Sequence, residues 1–155
     1  MNTTTSDERR GRSTELIDHM LAERRQLLSL LFQITDLGGH ELEESDREIF
    51  DEFCQVLVDY IAAGHFGLYS RISEGKERRK SVAELAARIY PSIEQSTEVA
   101  LAFNERYDGN KPEDMDFSDI EEQLSTLAEH ITSRIELEDQ LINEMLQRSL
   151  VAEAG

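Results

Sequence analysis

The sequence predicts an all-α protein, an antiparallel four-helix bundle whose third helix is kinked or broken. Three observations predict it. Apolar residues recur at helical spacing in four separate stretches, and motifs of the capping-box form stand at the start of three of them. Turn-formers are scarce, with 8 Gly and 2 Pro in 155 residues. A chain of this length closes one core and is too short for two ordinary domains. Residues 13–150 are therefore expected to form a single four-helix domain behind a flexible N-terminus at 1–12.

Helix one is marked by Leu16, Ile17, Met20, Leu21, Leu27, Leu28, Leu31 and Ile34, and is expected to stop at Gly38-Gly39. Ser45-Asp46-Arg47-Glu48 has the form of a capping box. Behind it Ile49, Phe50, Phe53, Cys54, Leu57, Tyr60 and Ile61 carry helix two to about Ile72. The polar, aperiodic segment from Ser73 to Lys80 reads as a connection. Ser81-Val82-Ala83-Glu84 offers a second box for helix three, which Leu85, Ile89, Ile93, Val99, Leu101, Phe103 and Tyr107 define. Pro91 lies inside it and should kink or split it, because proline removes a backbone donor and crowds the preceding turn. After the loop Asp108-Gly109-Asn110-Lys111-Pro112, Ser118-Asp119-Ile120-Glu121 opens helix four. Leu124, Leu127, Ala128, Ile131, Ile135, Leu141, Ile142, Met145 and Leu146 take it to about Ser149. Four such segments with short connections pack most simply as an antiparallel bundle.

The net charge of −17, from 33 acidic against 16 basic residues, disfavours direct contact with nucleic-acid phosphate and favours a basic partner. A single cysteine, Cys54, leaves no intramolecular disulfide framework and fits a reducing compartment. The N-terminus has no apolar signal-like region, and no stretch approaches the roughly 20 apolar residues that span a bilayer, so a cytoplasmic protein is expected. The sequence carries no Gly-rich phosphate loop, no Gly-x-Ser-x-Gly elbow and no His-Glu-x-x-His, and an enzyme is not expected. None of His19, His40, His65 and His130 follows a Glu by three residues, so a bundle-type metal site, or any other cofactor, is not expected either.

Two charges break the apolar stripes. Arg24 lies between Met20 and Leu27 in helix one, and Glu138 between Ile135 and Ile142 in helix four. Burying either alone is prohibitive, so they are expected to pair, with Asp18, Tyr60, His65, Tyr69 or Arg134 completing a buried polar layer. A layer that fixes the packing register is preferred to a ligand site. Glu136 and Asp139 read as solvated surface. On helix two, Asp59 and Phe66 are seven residues apart on a flank offset from the core stripe. If that flank is exposed, it offers an aromatic anchor beside an acid, suited to an Arg-bearing partner.

The run from Phe53 to Ile72, FCQVLVDYIAAGHFGLYSRI, resembles the signature segment of the Rsd/AlgQ family, the regulators of sigma D. Supporting matches are Leu16-Ile17-Asp18 with Arg24 and Leu27-Leu28, then Arg88-Ile89-Tyr90-Pro91, then Arg134 with Leu137-Glu138-Asp139 and Leu141-Ile142. His19 and Met20 depart from the family's usual Arg and Trp, which puts the helix-one flank in question and leaves the fold untouched. The resemblance implies an anti-sigma factor that binds the primary sigma factor of RNA polymerase, chiefly its −35-recognising domain, and so favours alternative sigma factors. It also implies possible phosphotransfer or stringent-response partners. Carried over to this chain, the sigma-binding residues are Asp59 and Phe66 first, then Leu16, Asp18 and Tyr69. A metal- or ligand-sensing bundle, or an adaptor for another partner, is the alternative.

Overall fold

In the computed structural model, residues 2–35, 43–70, 79–107 and 117–154 are described, and all but the lead-in residues 43 and 79 are helical. Helix α1 spans Asn2–Thr35 and α2 Glu44–Gly64, which runs on through a π-helical turn at His65–Tyr69. Helix α3 spans Lys80–Tyr107 and α4 Phe117–Ala154. Helical backbone thus begins at Asn2, well ahead of Leu16, the first apolar position of the stripe. The expected stop at Gly38-Gly39, the end of helix two at Ile72, the connection at 73–78 and the loop at 108–112 lie outside the described residues.

Side-chain contacts fix the helix directions. Gly67, near the end of α2, lies against the backbone of Leu16 in the first half of α1. Phe50 at the start of α2 meets Phe103 and Tyr107 at the end of α3, whereas Tyr69 faces Tyr90 nearer its start. The Arg79 guanidinium donates to the Met145 carbonyl at 3.3 Å, while Tyr107 and Asp119 join the other ends of α3 and α4. Each helix is therefore antiparallel to the next.

The helices form because their apolar positions make one stripe each, and the stripes meet in a shared core. Met20, Leu27 and Ile34 of α1 are buried with Phe53, Leu57 and Tyr60 of α2, Val82, Ile89 and Ile93 of α3, and Leu124, Leu127, Ile131 and Leu141 of α4. One end is closed by Phe50, Phe53, Phe103 and Tyr107, with Phe103 and Tyr107 centroids 4.8 Å apart. Pairs of this kind add about 0.5–1.5 kcal/mol beyond their burial. Tyr107 also donates to Asp119 at 2.6 Å, and Arg106 grips the same carboxylate at 2.9 Å. Burial first and this bond second push the Tyr107 phenol up to about 12, and the same bond holds Asp119 below the usual carboxylate range.

Four local expectations are corrected. The capping box of α2 is Glu43 with Asp46, whose carboxylate accepts from the Glu43 amide at 2.9 Å, rather than Ser45 with Glu48. Ser81 and Ser118 likewise lie inside their helices, because α3 begins at Lys80 and α4 at Phe117. Of the kink or break expected at Pro91, the break is absent, because helix α3 is continuous through it. The proline and Ala87, whose carbonyl loses its helical donor, both lie on the exposed side, where solvent can replace the bond. Leu28, Leu101 and Leu146, counted with the apolar stripes, are exposed.

Candidate functional site

Within the core, α1, α2, α3 and α4 meet at one polar layer. Glu138 of α4 is fully buried, and its Oε1 accepts from the Arg24 Nη2 of α1 at 3.2 Å and from the Tyr60 hydroxyl of α2. Its Oε2 accepts from Arg134 Nε at 3.1 Å, one turn away on the same helix. Arg134 reaches on to α3, where its Nη1 donates to Ser96 Oγ at 3.0 Å, Thr97 Oγ1 at 2.8 Å and the Ile93 carbonyl at 3.4 Å. Arg24 Nη1 meets Asp139 at 2.7 Å. Two guanidinium groups thus face two carboxylates, so the layer is neutral as a unit and its Coulombic attraction offsets desolvation. Burial opposes the charge on Arg24, but its bonds to Asp139 and its closeness to Tyr60 and Glu138 raise its pKa overall.

Gly64 makes room for this layer. A Cβ there would stand 3.0 Å from Glu138 Oε2 and 3.3 Å from Arg134 Nη2. The rings of Tyr60 and Tyr69 flank the Arg134 guanidinium at 5.9 and 6.0 Å, the range of a cation–π contact. Burial first and Glu138 second hold both phenols well above their usual range. The Tyr69 hydroxyl and Arg24 Nε are buried without a hydrogen-bond partner.

Of the seven residues named for the layer, Arg24, Tyr60, Tyr69, Arg134 and Glu138 come together there, and Asp18 and His65 do not. His65 is exposed and packs edge-on to Phe66 at 5.2 Å. It opens the π-helical turn one position past Gly64, outside the buried stripe of Leu57, Tyr60, Gly64 and Leu68. Asp139, expected in solvent, is half exposed yet paired with Arg24. Ser96, Thr97 and Gly64 were not anticipated. Their signal is a pair of hydroxyls on the inward stripe between Ile93 and Ala100, and a glycine one turn after Tyr60.

The other expected residues sit on the surface or near it. Phe66 is 64% exposed, and Asp59, half buried on the same flank, accepts from Gln55 at 3.1 Å. Asp18 is exposed and Leu16 half buried on α1, whereas Tyr69 is buried, so its hydroxyl does not reach a partner's surface. Between α2 and α3 runs a groove of about 540 Å³ whose walls include Phe66, Ala62, Tyr90, Glu94, Glu98 and Leu101. Among the described residues no group of three or more His, Cys, Asp or Glu side chains is placed to hold a metal ion. No described helix is long and apolar enough to cross a membrane.

The fold and the site define a class: an acidic four-helix bundle with a self-neutralised polar layer in its core and an exposed aromatic side chain on α2. The chain belongs to the Rsd/AlgQ family, described as "Regulator of RNA polymerase sigma(70) subunit, Rsd/AlgQ", whose model matches residues 1–146. It is a regulatory protein of that family and not an enzyme. The chain is 32% identical over 153 residues to a regulator of sigma D from Yersinia pseudotuberculosis serotype O:1b (strain IP 31758), covering 95% of this chain and 90% of the relative. To the regulator of sigma D of Yersinia enterocolitica serotype O:8 / biotype 1B it is 32% identical over 138 residues, 87% and 83% of the two chains. To that of Enterobacter sp. (strain 638) it is 31% identical over 147 residues, 94% and 88% of the two chains. No solved structure matches the chain significantly.

Proposed function

We propose that the protein is a cytoplasmic anti-sigma factor that binds the primary sigma factor of RNA polymerase, mainly through sigma's −35-recognising C-terminal domain. The observation that carries this reading is the exposed Phe66, two turns after the half-buried Asp59 on α2, in a chain with net charge −17. A −35-reading domain is a helix-turn-helix whose surface is basic because it meets DNA phosphate. An acidic flank with an aromatic anchor complements such a surface in charge and in apolar contact. Occupying it would withhold the sigma factor from promoters by mass action and leave polymerase to alternative sigma factors, with no chemical step. Leu16 and Asp18 would extend the contact onto α1.

Calorimetric titration of the protein with the isolated −35-binding domain of the same organism's primary sigma factor tests this. Saturable one-to-one binding that weakens with salt is expected. Phe66→Ala should cost about 2 kcal/mol of binding and Asp59→Asn about 1 kcal/mol, with helical content unchanged. No binding at low salt, with a phosphotransfer or stringent-response protein recovered from extract instead, would overturn the reading.

A further inference from the structure

Helix α1 carries an exposed stripe that neither the polar layer nor the Phe66 flank accounts for. Arg25, Leu28 and Phe32 stand at i, i+3 and i+7, so they share one face of the helix, and all three are exposed. Phe32 is 74% exposed and Leu28 42%. A single exposed apolar side chain needs no explanation, but here the composition around the pair changes as well. From Arg24 to Thr35 the chain places none of its 33 carboxylates, and the other exposed positions of the turn and a half around Leu28 are Gln26, Ser29 and Gln33. Arg25 makes no hydrogen bond or ion pair among the described residues, although acids outnumber bases two to one in the chain. Aromatic and Arg side chains gathered where Asp, Glu and Lys are depleted are the composition of a protein interface.

The stripe is also complementary to itself. Arg25 and Phe32 are two turns apart and equally far from the point between Leu28 and Ser29. A two-fold axis through that point lays a second α1 antiparallel on the first and sets each Arg25 over the other copy's Phe32, an attractive cation–π arrangement. Leu28 of both copies meets at the centre, where the small Ser29 lets the helices approach. Two bodies of net charge −17 repel each other, and a face without carboxylates is where that repulsion at contact is least. We propose that α1 of a second copy of this chain docks on the Arg25, Leu28 and Phe32 stripe and forms a weak, symmetric dimer. One helix pair buries less than the roughly 1,000 Å² of a stable interface, so the dissociation constant is on the order of 100 µM. Phe32 lies about 24 Å along α1 from Leu16, where the end of α2 packs, at the helical rise per residue. The dimer therefore leaves the Phe66 flank open, and it stands or falls independently of sigma binding.

Sedimentation equilibrium of the full chain, across a concentration series spanning that constant and at low and moderate salt, decides it. A reversible monomer–dimer equilibrium is expected that strengthens about threefold as salt rises, because screening relieves the repulsion between two acidic bodies. That sign is opposite to the one expected for sigma binding. Phe32→Ala should weaken dimerisation about tenfold and Arg25→Glu at least as much. Both positions are exposed, and circular dichroism checks that the helices persist. In a mixture of isotopically light and heavy chains, a photo-crosslinking residue at Phe32 should join two copies near Arg25, and one at Leu101, exposed on α3, should not. A chain that stays monomeric at both salts would overturn the proposal. So would a dimer that either variant leaves intact, since its contact would lie on another face.

Discussion

Replacing Glu138 by alanine removes the carboxylate that accepts from Arg24, Tyr60 and Arg134 together. Arg134, 1% exposed, would keep only hydroxyl and carbonyl partners on α3, and Arg24 only Asp139. Breaking a buried ion pair from one side costs about 3–5 kcal/mol, because the remaining charge keeps its desolvation penalty. Urea unfolding of Glu138→Ala should show a loss of that size, and Glu138→Gln, which keeps an acceptor oxygen, a smaller one. An unchanged midpoint for the alanine variant would mean that the layer contributes nothing to stability. Arg24 and Glu138 were legible in the sequence as charges on apolar stripes, since a stripe is a property of a single helix. Asp139 was not, because its partner arrives from another helix, and one helix's periodicity records only which way a side chain leaves its own axis.

At the scale of elements, Pro91 separates what periodicity can read from what it cannot. The apolar stripe of α3 runs from Val82 through Ile89 and Ile93 to Phe103, unshifted across the proline, and packing of that stripe holds the helix together. A backbone defect on the exposed side costs one hydrogen bond, less than a stripe of buried side chains contributes. Pro91→Ala should therefore restore a donor to the Ala87 carbonyl and raise stability by about 1 kcal/mol, read as a higher melting temperature with unchanged helical content. A lower melting temperature would show that α3 is shaped around the proline. Helix number, order and inward faces were readable because four stripes of this kind repeat along the chain. The starts of α2, α3 and α4 were displaced by one or two residues, because Glu43 with Asp46 caps as well as Ser45 with Glu48 could, and several acids and serines crowd the start of α2, whereas α1 begins at Asn2, well before the expected start at 13. The π-helical turn at His65–Tyr69 was not readable: Gly64 and Gly67 permit close approach to Glu138 and to Leu16, but a glycine does not reveal which neighbour needs the space.

For the whole molecule, three phenols tie two regions of the bundle to pH. Tyr60 and Tyr69 lie in the polar layer, and Tyr107 in the aromatic end where α3 meets α4. Burial is the first cause of the rise in all three, with Glu138 acting next on the first two and Asp119 on the third. A phenol whose pKa is higher folded than unfolded contributes stability that is fully present below the unfolded value of about 10 and is lost as pH rises through the folded value. For Tyr107 the folded value is about 12, and for the other two it lies higher still. The urea midpoint should therefore hold level to about pH 10 and fall steadily above it. Tyrosinate absorbance of the folded protein should lag behind that of the protein in urea over the same interval. The acid side runs with the opposite sign: Asp119, lowered by its bond to Tyr107, contributes stability above about pH 4 that is lost as pH falls through its folded value. Replacing Tyr107 by phenylalanine removes the donor to Asp119 and should weaken both the alkaline lag and this acid-side dependence. If folded and unfolded protein instead release their phenolic protons together near pH 10, the buried placement of these tyrosines is wrong, and with it the packing that joins the polar layer to the helix ends.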